Sequence, residues 1–155
     1  MSNLVLELRQ GETMIINGAP IRFRTKARIE LTAHARFLFS KQIMSPEAAD
    51  TPARRLYFSL QAAYIGTGDE RAQGLETART LTTAFKNATN SAFALDILDR
   101  ALAAAEADEC YTALNLARRI IRHEDAVLGR GPVPLGEVTS HPAQTPTLVP
   151  LAGIP

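Results

Sequence analysis

Side chains able to do acid–base, nucleophilic or metal chemistry are few, and they stand apart. His34, His123 and His141 are the three imidazoles in 155 residues, and none has an acidic or thiol partner at ligand spacing. His123 lies in Arg122-His123-Glu124-Asp125 near an expected helix C-terminus, where a cation is favourable against the helix dipole. Cys110 is the single cysteine, which excludes an intrachain disulfide and a multi-thiolate zinc site. A position just before a helix lowers a thiol pKa slightly, but with no base in view Cys110 reads as a small buried residue. The phosphate-cradling G-x-x-x-x-G-K-S/T, the dinucleotide G-x-G-x-x-G, H-E-x-x-H and G-x-S-x-G do not occur. Asp96, Asp99, Glu106, Asp108 and Glu109 are spaced as a solvated helix face, not as a carboxylate pair. The expectation is a protein that is not an enzyme and carries no cofactor or metal.

The chemistry that remains is charge. Arg22, Arg24, Lys26 and Arg28 recur at every second residue, so in an extended chain they project to one side in steps of about 6.6 Å. Ile21, Phe23 and Ile29 would take the opposite side and face a core. Four cations with no interleaved acid attract phosphates, and counterion release makes such binding salt-sensitive. The competing reading is an exposed strand kept soluble, and free of edge-to-edge pairing, by its charge. No Trp is present, and Phe23, Phe37 and Phe39 suit a core better than a stacking platform. An aromatic-stacking RNA-recognition sheet is therefore disfavoured.

These cations belong to a basic head. Residues 1–45 hold seven basic and three acidic side chains, a net of +4; residues 46–128 hold nine and twelve, a net of −3. Residues 129–155 are neutral, so the overall +1 hides a basic head on an acidic body. The head alternates like strands. Leu4, Leu6 and Leu8 share one face, Met14-Ile15-Ile16 is β-prone, and Asn17-Gly18 is the strongest hairpin signal in the chain. With Ile21–Arg24, a turn near Lys26, Arg28–Leu31 and Arg36–Phe39, about five short strands are expected.

The body changes period at Ser45. Ser45-Pro46-Glu47 and Thr51-Pro52 each carry a hydroxyl cap followed by proline, the pattern of a helix start. Ala53, Leu56, Tyr57, Leu60, Ala63 and Tyr64 form the stripe of a long helix that Gly66 and Gly68 end. A third helix over 69–86 is weakened by Gly74 and several threonines. Ser91 or Asn90 caps a fourth, with Leu95, Leu98, Ala101 and Leu102 inward. After Asp108-Glu109 a fifth places Leu114, Ala117, Ile120 and Ile121 inward, and the short connection makes the last two a helical hairpin. Six prolines and four glycines in residues 129–155 predict a disordered tail.

The fold class is thus α+β: a small antiparallel β-sheet or sandwich, a helical bundle and a tail, divided at 1–45, 46–128 and 129–155. A chain of this length buries roughly two-thirds of its unfolded surface, enough for a core without disulfide or metal. The start Met-Ser-Asn-Leu lacks a signal-peptide pattern, and no apolar run approaches the ~18 residues of a spanning helix. A soluble cytoplasmic protein with no membrane contact is expected.

Two stretches carry a family resemblance. Leu6-Glu7-Leu8-Arg9-Gln10-Gly11-Glu12-Thr13-Met14-Ile15-Ile16-Asn17-Gly18 and the more specific Ser45-Pro46-Glu47-Ala48-Ala49-Asp50-Thr51-Pro52-Ala53-Arg54-Arg55-Leu56-Tyr57-Phe58 resemble the flagellar biosynthesis repressor family FlbT. The final helix, Tyr111 to Ile121, fits as well, so the resemblance covers about residues 4–128. It implies a cytoplasmic regulator that binds the 5′ untranslated leader of flagellin mRNA and promotes decay or represses translation, without being a nuclease. It also implies functional pairing with the flagellar regulator FlaF.

The head is more faintly similar to the RNA-binding regulator CsrA, through Gly11–Ile16, Arg28–Ala33 and Phe37–Lys41. In that overlay Lys41 falls on an RNA-contacting arginine, and Arg9 keeps a basic residue at the end of the first strand. Glu7 and Leu8 replace a polar and a basic RNA contact there, and Lys41 lacks the planar fork of an arginine. The candidate RNA contacts are therefore Arg9, Arg22, Arg24, Lys26, Arg28 and Lys41. The likeness implies a homodimer, since five short strands barely close a core alone. The alternative function is an adaptor that binds FlaF, flagellin or another regulator through the helical body without touching RNA.

Overall fold

The period-two leucines form the first strand of a computed structural model that describes residues 4–33 and 35–129. The strands are β1 (Leu4–Leu8), β2 (Thr13–Ile16), β3 (Ala19–Arg22), β4 (Ala27–Leu31) and β5 (Phe37–Phe39). β1 pairs antiparallel with β4, Leu4 opposite Leu31 and Leu8 opposite Ala27. The other strands make a second antiparallel sheet in the order β3-β2-β5. Asn17 and Gly18 join β2 to β3 with φ of 49° and 86°, the positive values that a type I′ turn demands.

Successive side chains on a strand point to opposite faces, and the central sheet uses both. Met14, Ile16, Phe37 and Phe39 pack with Leu6, Leu8, Phe23, Ile29 and Leu31 from the β1–β4 side. Ile15 and Leu38 point the other way and join Ile43 and Met44 in the core of the helices. The result is three layers: a two-stranded sheet, a three-stranded sheet and helices. Ile21 departs from expectation. It is 40% exposed, because β3 is an outer strand of its sheet and ends at Arg22.

Four helices follow: α1 (Pro52–Ile65), α2 (Gly68–Ala88), α3 (Ala92–Glu106) and α4 (Cys110–Val127). Their starts follow local chemistry. The Thr51 hydroxyl accepts from Arg54 N at 3.2 Å ahead of Pro52, and the Ser91 hydroxyl accepts from Ala94 N at 3.1 Å. Thr67 N donates to Glu70 Oε1 at 2.9 Å, one half of a capping box. The Ser45-Pro46 signal yields a single 3₁₀ turn, Pro46–Ala48, instead of a helix. Thr51 precedes proline and is therefore extended, at φ −131° and ψ 163°, so nothing started at Pro46 can run through it. In α3 the fully buried positions are Ala94, Ile97, Leu98 and Ala101, with Leu95 and Leu102 half-buried at the rim.

α1 is the hub. Its Gln61, fully buried, accepts from Met44 N at 2.8 Å and donates to Met44 O at 3.1 Å, which clamps the segment leaving the sheets. Tyr57 Oη donates to Gln42 O at 2.7 Å. Arg54, 1% exposed, pairs with Asp125 of α4 at 2.8 Å, and the hydrogen-bonded carboxylate raises the guanidinium pKa further. Cys110 is buried, and burial pushes its thiol up, opposite to the slight lowering a helix start would produce. The expected tail lies, beyond Gly129, outside the described residues, as do His34 and His141.

Candidate nucleic-acid interface

The cations converge through topology, not along one strand. β1, β3 and β5 end, and β2 and β4 begin, at the same end of the two sheets. Three connections therefore meet there: the turn at 9–12, the bend at 23–26 and the residues after Phe39. Hydrogen bonds tie them together. Gly11 N donates to Phe23 O at 2.6 Å, Phe23 N to Glu12 O at 2.9 Å, and Ser40 Oγ to Glu12 Oε2 at 2.7 Å.

This end carries Arg9 in the first turn, Arg22 at the last residue of β3, Arg24 and Lys26 in the bend, and Lys41 after β5, all five exposed. The regular comb expected over 22–28 is broken. The chain bends at 24 and 25, and Arg22 and Arg28 sit on different sheets. Arg28 is on the outer face of β4, opposite Glu7 of β1 in the register and 4.0 Å from its carboxylate. With Glu30 on the same face, that surface is not cationic. Arg28 is thus the one candidate contact with a carboxylate within ion-pair distance among the described residues. Arg36, the remaining head cation, is drawn to the helical body and holds Asp108 at 3.2 Å.

One acid stands inside the cationic end. Glu12 accepts from Arg9 N at 2.7 Å and from Ser40 Oγ. Those two bonds, with the fields of Arg9 and Lys41, hold its carboxyl below the usual range although burial opposes them. Glu12 is a brace: it stays ionised, closes the first turn and holds Ser40 at φ 52°. In the sequence Glu12 reads only as part of the polar turn Arg9-Gln10-Gly11-Glu12; its bracing role depends on Ser40, 28 residues on. Phe23 is half-buried in the sheet core, so this end offers no aromatic platform for bases. It can hold phosphates, with three guanidinium forks and two ammonium groups.

Among the described residues no group of three His, Cys, Asp or Glu side chains could hold a metal ion, and no helix is long and apolar enough to cross a membrane. Fold and site define an α+β protein whose distinguishing surface is a strand-end cluster of cations. Residues 4–128 match the family described as "Flagellar protein FlbT", and the chain belongs to that family. It is 32% identical over 136 residues to a protein of Rhizobium etli (strain CIAT 652) named "Probable flagellum biosynthesis repressor protein FlbT", covering 86% of this chain and 89% of that one. A protein of the same name from Caulobacter sp. (strain K31) is 34% identical over 130 residues, covering 81% of this chain and 96% of its own. A third, from Brucella ovis, is 43% identical over 60 residues, 39% of this chain and 40% of that one. No solved structure matches the chain. Membership places it among regulators of flagellar gene expression.

Proposed function

We propose that this FlbT-family protein acts post-transcriptionally, gripping the 5′ leader of flagellin mRNA with its cationic strand end and thereby promoting decay or blocking translation. One observation carries the reading: three separate connections deliver Arg9, Arg22, Arg24, Lys26 and Lys41 to one end of the sheets, against the single carboxylate of Glu12. A strand kept soluble by charge needs no such convergence. Phosphate contact explains it, and the lack of an exposed aromatic there assigns the head to backbone grip. Base selection then depends on the shape of a folded leader.

Purified protein is expected to shift leader RNA with an affinity that falls about 100-fold between 50 and 200 mM salt, the slope for roughly five phosphates on a single strand. Reversing charge in Arg22→Glu, Arg24→Glu and Lys41→Glu together abolishes the shift while far-UV circular dichroism stays unchanged. Unaltered affinity in the folded triple variant rules this surface out. A homodimer belongs to the same reading, since among the described residues each strand of the two-stranded sheet pairs on one side alone, and β1 leaves Leu4 and Val5 46% exposed. Light scattering at micromolar concentration should give twice the 16.8 kDa chain mass, and a monomer removes dimerisation from the account.

A further inference from the structure

Two clefts adjoin on the helical layer, one of about 430 Å³ between α1 and α2, the other of about 510 Å³ where the ends of α2 and α4 meet the start of α1. They share Arg55 and Leu81, so they form one groove. Its floor is apolar: Phe58 and Leu81 in the first part, Phe85 in the second, each half-buried against the main core. Gly74 and Ala62 line the middle, and Val127 and Leu128, 70% and 55% exposed, stand at the far rim. Glu124 lies in that far part, 9% exposed. Its Oε2 accepts from Ala53 N at 3.1 Å, while its Oε1 is buried without a partner among the described residues. A buried carboxylate oxygen left unbonded is costly to the fold. A cation held against this part of the groove offsets that cost through its charge.

The charges along the groove alternate: Glu70 at one end, Arg55 in the middle, Glu124 at the other end. The α2 wall from Gln73 to Ala88 runs about four turns, roughly 22 Å, long enough for a helix and too long for a small amine. We propose that the groove receives an amphipathic helix of a partner protein, with an apolar stripe on Phe58, Leu81 and Phe85 and a Lys or Arg set against Glu124. This is the helix-in-groove mode, in which apolar anchors supply affinity and flanking charge sets direction. The surface is separate from the cationic strand end, so RNA and the helix can be held together.

The test uses full-length protein and two labelled helical peptides of about 18 residues, roughly 27 Å long. Both carry the same leucine stripe; one has lysines near both ends and a central glutamate, the other has the charges exchanged. Fluorescence anisotropy should show saturable micromolar binding of the first peptide and about tenfold weaker binding of the second. Thr77→Arg, on an exposed groove position, should weaken the first peptide about tenfold and leave the leader-RNA shift untouched. Glu124→Gln, which keeps an acceptor for Ala53 N, should narrow the difference between the peptides. Equal binding of the two peptides, or binding that Thr77→Arg does not change, overturns the proposal even if Glu124→Gln fails to fold.

Discussion

Glu12 shows how one side chain serves two opposed demands. Its carboxylate repels phosphate from the end of the sheets, yet the turn at 9–12 closes on it and Ser40 is held by it. Because its folded pKa is depressed, the stabilisation it gives is complete above the ordinary value near 4.5 and is lost as pH falls through the folded value. Glu12→Gln should therefore lower stability by about 1 kcal/mol at neutral pH, a Tm loss of roughly 4 °C. The deficit against wild type should shrink towards zero as pH falls below the ordinary 4.5 and through the depressed folded value, in thermal melts across a pH series. The same variant should bind RNA more tightly, because a negative charge among five cations is gone. A change of the same sign in both measurements contradicts the brace.

At the scale of elements, α2 is instructive because its local sequence is poor for a helix. Gly74 costs about 1 kcal/mol relative to alanine in an open helix, and the surrounding threonines add to that. The structure supplies the compensation. A Cβ at Gly74 would stand 2.7 Å from Ser59 O and 2.8 Å from Ala63 N, so its absence lets α2 lie directly on α1. Gly74→Ala should thus destabilise by about 1–3 kcal/mol in urea denaturation, where propensity alone predicts a gain. Thr80→Ala, exposed on the same helix, should be within about 0.5 kcal/mol of wild type. The same scale explains the cationic end. A spacing of two residues suggested a comb, but the bend at 24 and 25 and the pairing of β1 with β4 rearranged it into a cluster.

Across the whole molecule, the head and the helices share a layer. Leu38 and Ile15, fully buried, leave the rear of the central sheet and enter the helical core with Met44. Truncation of Leu38 to alanine should cost about 2–5 kcal/mol. Its effect should reach both halves: far-UV dichroism of the helices and the capacity to shift RNA are expected to vanish at one denaturant midpoint. Separate midpoints would show that the sheets and helices unfold independently.

Much of this architecture was legible from residue order alone. Leu4, Leu6 and Leu8, the Asn17-Gly18 turn, the Thr51-Pro52 and Ser91 caps and the Gly66 stop are local signals, decided by backbone sterics and by who bonds the first free N–H groups of a helix. The two motif stretches carried the family for the same reason, since they are contiguous. What residue order left open was every feature made by distant partners. The close seat of Gly74 depended on Ser59 and Ala63 of another helix. The neutralised outer face depended on Glu7 meeting Arg28 across a ladder. Glu124 ended in a groove because α1, α2 and α4 meet there. Local propensity acts over a few residues, whereas charge, close packing and unpaired acceptors are properties of neighbours in space, and only the folded chain assigns those neighbours.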